Sequence, residues 1–180
     1  RDSCDTKAGR AEMTLYALQP SFLDDIPTMR HHLRTERAVR ASAHRVFDIL
    51  ATGEGQHRWA EGYRSTTWYG ASPHDSTTVR DIHLRWITVR ERFLAWEPGR
   101  RFAFSADAMS IPLARRMIED IAFVPVDEDR CLLRWQVHLD VSAGLRPVQA
   151  RLVSTTFAPM FDRFAAGLAR YAETATTSND

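Results

Sequence analysis

From Leu145 to Tyr171 the apolar residues Val153, Phe157, Met160, Phe161, Phe164, Leu168 and Tyr171 recur at steps of three and four, which stacks them along one face of a helix. Arg151, Asp162, Arg163 and Arg170 fall mostly on the other side, so the helix must lie across a broad apolar surface supplied by the rest of the chain. Pro147 sits in its first turn, where a missing N–H costs nothing. Pro159 sits inside it and removes a backbone hydrogen bond, which predicts a kink near Ala158. Leu145, Val148 and Leu152 form a slightly rotated stripe upstream of that break.

What precedes the helix reads as strands. Thr35 to Ala41 is the first, and Ser42 then caps a helix whose apolar positions are Val46, Phe47, Ile49 and Leu50, closed by Gly53 and Gly55. A short helical turn follows from Gln56 to Trp59. The remaining strands are predicted at Tyr63–Gly70, Ser76–Leu84, Ile87–Trp96, Arg101–Ala106, Arg116–Val126 and Arg130–Val141, separated by turn-forming segments such as ASPHD, EPGR and DED. Seven strands joined mostly by short turns predict an α+β domain with an antiparallel sheet. Residues 1–34 read as a tail and extension, 35–175 as the domain, and 176–180 as a C-terminal tail. Within the first of these, residues 1–12 read as mobile, and Met13–Leu33, cut by Pro20 and Pro27, as short turns packed outside the domain or as an arm for a partner.

Composition narrows the function. At 180 residues the chain is long enough for one core. No stretch reaches the roughly 20 apolar residues of a membrane span, and a cytoplasmic protein is expected. A formal charge of +1 argues against a nucleic-acid surface, which needs a concentrated basic excess. Lys7 is the only lysine, and the dominance of arginine reads as base composition of the gene rather than function. Cys4 in the tail and Cys131 in a core strand do not suit a structural disulfide. His31 and His32 are adjacent and so point apart, no ligand set accompanies them, and neither a metal nor another cofactor is expected. No seryl triad or phosphate loop is present.

The string RAVRASAHRVFDILATGEGQHRWAEG, with Ser42, Val46, Phe47, Leu50 and Trp59, resembles the opening of the START-like (SRPBCC) superfamily, which includes the polyketide cyclase/dehydrase family and Bet v 1-like proteins. VRERFLAWEPGRRFAF, through Glu91, Arg92, Trp96, Pro98 and Phe102, resembles a second block of that family, and FVPVDEDRCLLRW, ending in Trp135, a third. The resemblance covers about Thr35 to Glu173. It implies a helix-grip fold, a curved seven-stranded antiparallel sheet around the C-terminal helix with two short helices after strand 1 and a cavity between sheet and helix. It does not fix the chemistry, because members include lipid and hormone carriers, aromatases and cyclases.

Strand alternation places Ile87, Val89, Glu91, Phe93 and Ala95 on one face and Thr88, Arg90, Arg92, Leu94 and Trp96 on the other. The first is the better core face, so Glu91 points inward. Arg80 shares a side with Ile82 and Leu84, and a hairpin turning at Arg85-Trp86 sets Arg80 directly opposite Glu91. Such a pair either braces the hairpin or anchors the polar group of an otherwise apolar ligand. Arg80 and Glu91 are also the candidate catalytic residues. Further candidates for the lining are Tyr63, Tyr69, Phe93, Phe102, Phe104, Trp135, Phe157, Met160, Phe161 and Phe164, with Cys131 and Leu133 as core neighbours. Cys131 lacks an inward histidine, since His138 has the opposite parity, which argues against a thiol nucleophile.

Three functions fit. The first is binding of a small hydrophobic, lipid- or polyketide-like molecule in an internal cavity of a few hundred Å³. The second is a cofactor-independent cyclase, aromatase or dehydratase using acid–base chemistry. Aromatase/cyclase relatives use an inward arginine, which the outward parity of Arg90 and Arg92 leaves to Arg80. The third is an interaction domain with a collapsed pocket. A small hydrophobic ligand is thus the expected partner, and homodimer formation is left open.

Overall fold

The computed structural model describes residues 14–71 and 73–176. The tail expected at residues 1–12, with Cys4, and the last four residues of the expected C-terminal tail lie outside the described residues. In chain order the elements are β1 (Tyr16–Ala17), a 3-10 turn over Leu23–Thr28, β2 (His31–Val39), α1 (Ala43–Thr52), α2 (Gln56–Trp59), β3 (Tyr63–Tyr69), β4 (Val79–Leu84), β5 (Thr88–Glu97), β6 (Arg101–Met109), β7 (Ala114–Pro125) and β8 (Cys131–Val141). A helical run follows: a 3-10 turn over Ala143–Val148, α3 (Gln149–Leu152), a π-turn over Val153–Phe157, and α4 (Ala158–Thr176).

The strands form one curved antiparallel sheet in the order β2-β8-β7-β6-β5-β4-β3, with the helical run against its inner face. The fold is α+β and of the helix-grip type. Among the described residues there are eight strands rather than seven, because two residues of the N-terminal extension pair with β6. β6 and β7 are hydrogen-bonded only from Arg101 to Ser105 and from Ile118 to Ala122, and beyond Ser105 they diverge. Tyr16 and Ala17 pair with Met109 and Ala108 there. Leu18 N–H donates to the Asp107 carbonyl at 2.9 Å, and Gln19 N–H to that of Arg115 at 2.8 Å. The buried Leu18 joins the core from this seam. The first long strand starts at His31, four residues before the pattern places it, because His31 and His32 already pair with Leu139 and His138.

Local chemistry sets the helices. The Ser42 hydroxyl accepts the Arg45 N–H at the start of α1, and Gly53 ends it at φ 72°, a conformation that favours glycine. Phe47 reaches from α1 to Phe102, Phe123 and Trp96. α4 crosses α2 at Gly167, where an added Cβ would lie 2.2 Å from the Trp59 carbonyl oxygen. The break in the long helix falls just before Pro159. Proline has no N–H for the Thr155 carbonyl and its ring crowds it, and the chain responds by widening: Ala158 N–H donates to Val153 O, five residues back.

The outer face of the sheet is charged but paired. Arg90 meets Asp81, Arg92 Asp107, Arg101 Asp120, Arg116 Asp140 and Arg134 Glu36, at 2.7–2.8 Å. Each adjacent strand pair from β4 across to β2 therefore carries one such contact. No helix among the described residues is long and apolar enough to cross a membrane.

Candidate functional site

The β4–β5 hairpin closes with Leu84 N–H on the Ile87 carbonyl, and its register sets Arg80 opposite Glu91. Both side chains are buried, and Arg80 Nε donates to Glu91 Oε2 at 2.6 Å. The guanidinium carbon lies 5.2–5.7 Å from the ring centres of Trp68, Phe93, Phe102 and Phe104. These rings favour the cation and keep water from it. Arg80 Nη1 is buried without a hydrogen-bond partner, an arrangement that costs free energy unless something else supplies an acceptor.

Two strands away, β7 contributes Glu119, which lies opposite Phe104 of β6 and is also buried. Trp135 Nε1 donates to its Oε2 at 2.8 Å. Burial, reinforced by the nearby charge of Glu91, pushes the Glu119 carboxyl up to about 8. Glu91 is also raised, because desolvation outweighs the attraction of Arg80. At neutral pH Glu119 is thus largely the neutral acid, beside the Arg80–Glu91 pair.

Arg80, Glu91 and Glu119 line a cavity of about 80 Å³ between the sheet and the helical run. Its remaining walls are apolar except for Gln56 of α2. The volume is below the few hundred Å³ expected, because Phe104, Trp135, Phe157 and Phe161 point into the same space. It exceeds what one water needs but is smaller than the roughly 150 Å³ of a cavity that holds benzene. The cavity adjoins an open mouth of about 300 Å³, with which it shares Leu84, Trp86, Met160 and Phe164. Thr155 and Thr156 of the π-turn face that mouth, and an ion pair between Arg163 and Glu61 stands beside it.

Of the residues singled out from sequence, Arg80, Glu91, Phe104, Trp135, Phe157, Met160, Phe161 and Phe164 line the cavity. Phe93 and Phe102 lie behind it, stacked around the Arg80 guanidinium within the core. Tyr63 and Tyr69 do not line it. A bulge at Arg64 puts Thr66 and Trp68 opposite Ile82 and Arg80, so Tyr69 turns outward and its hydroxyl donates to Asp81 Oδ2 at 2.8 Å. Tyr63 packs at the core's margin with its hydroxyl on Thr66 Oγ1. A second bulge, at Leu94, reverses the expected parity of Trp96, which faces Phe102 and meets Phe93 and Phe47 in the core. Cys131 is buried and its thiol is pushed up to about 11 by desolvation. His32 and His138 meet ring to ring, Nδ1 to Nδ1 at 2.7 Å, on a β2–β8 pair. Among the described residues no three His, Cys, Asp or Glu side chains are gathered to hold a metal ion.

The model of a family described as polyketide cyclase / dehydrase and lipid transport matches residues 30–173. The chain belongs to that family. An uncharacterised protein of Mycobacterium tuberculosis is 28% identical to this polyketide cyclase/dehydrase family member over 158 residues, covering 85% of this chain and 89% of its own. Solved structures share the fold: a START superfamily protein from Mycobacterium smegmatis (TM-score 0.68, 14% identity, 81% of this chain and 99% of that one); and an aromatase/cyclase from a Streptomyces species (TM-score 0.59, 16% identity, 78% and 95%). A norcoclaurine synthase from Thalictrum flavum is similar too, with TM-score 0.58, 12% identity, and coverage of 89% and 96%.

Proposed function

We propose that this protein encloses a small hydrophobic molecule, lipid- or polyketide-like, with its one polar group against Arg80 and its apolar remainder running past Met160 and Phe164 into the mouth. The observation that carries this reading is Arg80 Nη1, a buried donor without a partner in the wall of an otherwise apolar cavity. Family membership supports it. Flexible Met160 and half-exposed Trp86, where the cavity meets the mouth, can move aside to admit a ligand larger than the cavity.

Native mass spectrometry of protein purified from its own host tests this first, by the mass of a retained molecule. Arg80→Lys then tests the anchor, since lysine keeps the charge opposite Glu91 but loses the guanidinium fork. Binding of the retained ligand should weaken by about 1.5–3 kcal/mol, the scale of one hydrogen bond to a charged group. Unchanged affinity would refute the anchor.

A second reading, a cofactor-independent cyclase or dehydratase, is favoured by two buried carboxyl groups, Glu91 and Glu119, both raised by desolvation within one cavity, as a general acid or base requires. It predicts that a β-ketoacyl thioester is turned over and that Glu91→Gln lowers turnover by about two orders of magnitude. The interaction-domain reading has less support, because residues 14–30 engage this chain's own sheet.

A further inference from the structure

Glu119 has no role in the anchoring just described, yet it occupies the same cavity. Its Oε2 accepts the Trp135 indole N–H, which leaves the acid proton for Oε1. The charged groups acting on it are Glu91 from β5 and Arg80 from β4. Around it α2 offers only Gln56, and the helical run only aromatic rings and Met160. Arg80 is already matched by Glu91 at 2.6 Å, so an ionised Glu119 would be an unmatched buried anion beside another carboxylate, and neutralisation is the cheaper outcome.

We infer that Glu119 serves the cavity as a neutral hydrogen-bond donor, that with Arg80 Nη1 it forms a two-donor site, and that the ligand's buried group is an uncharged carbonyl rather than a carboxylate. The inference rests on the proposed ligand-binding role of this cavity. A carbonyl oxygen has two lone pairs for two donors and adds no charge. A carboxylate would bring a second negative charge next to Glu91 in a low-dielectric site, where like charges are costly. Raising the pH through the titration of Glu119 removes one donor and replaces it with a repelling anion, so carbonyl binding should fade on the alkaline side.

Three probes of one shape separate the alternatives: 4-phenylbutan-2-one, its carboxylate counterpart 3-phenylpropanoate, and the apolar isopentylbenzene, titrated against the full chain and followed by tryptophan fluorescence. At pH 7 the ketone should bind about tenfold or more tighter than the carboxylate, and its affinity should drop severalfold by pH 9.5. Glu119→Gln keeps a donor and an acceptor for Trp135, so it should retain ketone binding within about threefold and abolish the pH dependence. Equal or tighter binding of the carboxylate, or a flat pH profile in the unmodified protein, overturns the inference. If Arg80→Lys nevertheless weakens the carboxylate in that case, the anchor survives alone. Failure of all three probes to bind overturns both readings together. Infrared difference spectroscopy supplies a check that needs no ligand and no folded variant: a carbonyl band of a protonated carboxylic acid must be present at neutral pH and vanish on the alkaline side, and its absence refutes the neutral donor.

Discussion

At the scale of single residues, the Arg80–Glu91 pair is an expensive way to hold a hairpin. Two buried charges forgo their hydration, and their mutual attraction commonly does no more than offset that loss. Removing one partner is worse than removing both. Arg80→Met should therefore cost about 3–5 kcal/mol of unfolding free energy, and adding Glu91→Leu to it should recover much of that loss. Urea denaturation of the two single variants and the double variant measures this. A double variant no more stable than Arg80→Met would show that the aromatic cage, and not the orphaned carboxylate, sets the cost.

At the scale of elements, α4 is held close to α2 by the absence of a side chain at Gly167. On an exposed helix Gly→Ala gains about 1 kcal/mol. Here the new methyl would meet the Trp59 carbonyl at 2.2 Å, and Gly167→Ala should instead lower stability by about 1–3 kcal/mol, readable as a fall in Tm. Pro159→Ala should act in the opposite sense. Restoring an N–H to position 159 lets the ordinary bond to the Thr155 carbonyl form, so the turn at Val153–Phe157 should tighten and its amides exchange more slowly with deuterium. Unaltered exchange there would mean that the wide turn is held by the contacts of Phe157 rather than by the proline.

The elements also show what the sequence made legible. Strict alternation in β4 and β5 located the hairpin and brought Arg80 to Glu91, because a two-residue turn leaves no freedom in register. The same alternation misplaced Tyr69 and Trp96, because a bulge inserts one residue without changing the hydrophobic content around it. Glu119 was within reach: it shares parity with Met117, Ile121 and Phe123, all buried. The small cavity was not, since its volume depends on rotamers of Trp135, Phe157 and Phe161 that no local pattern encodes.

At the scale of the whole molecule, opposite pKa shifts on the two faces of the sheet bound the pH range of stability. Glu119, ordinarily near 4.5, stands at about 8 in the folded protein, so its contribution is complete below pH 4.5 and is lost as pH rises through 8, at about 1.4 kcal/mol per pH unit. Glu91 acts in the same direction. Outer-face Asp81, held down by Arg90 and Tyr69, and Asp140, held down by the Arg30 backbone, Arg116 and Arg115, have the reverse sign. Their contribution is present above about pH 4 and is lost as pH falls through their lowered values. Stability should peak in mildly acid solution, and Glu119→Gln should flatten the decline toward pH 8. Thermal unfolding across that range checks both points, and a maximum at or above pH 8 would contradict them.

The seam between β6 and β7 gives the chain an order of assembly. Tyr16 to Gln19 leave the ribosome before any strand they bind, yet their partners at Asp107 to Met109 and at Arg115 come some ninety residues later. This early segment is then among the last to dock, and until it does, the newly formed sheet carries an interior slot of unpaired backbone that another copy's strand can enter. A chain lacking residues 1–30 should keep that slot open permanently. Light scattering during its refolding should show concentration-dependent association that the full chain escapes, and a truncated chain that refolds as a clean monomer would show that the seam seals itself.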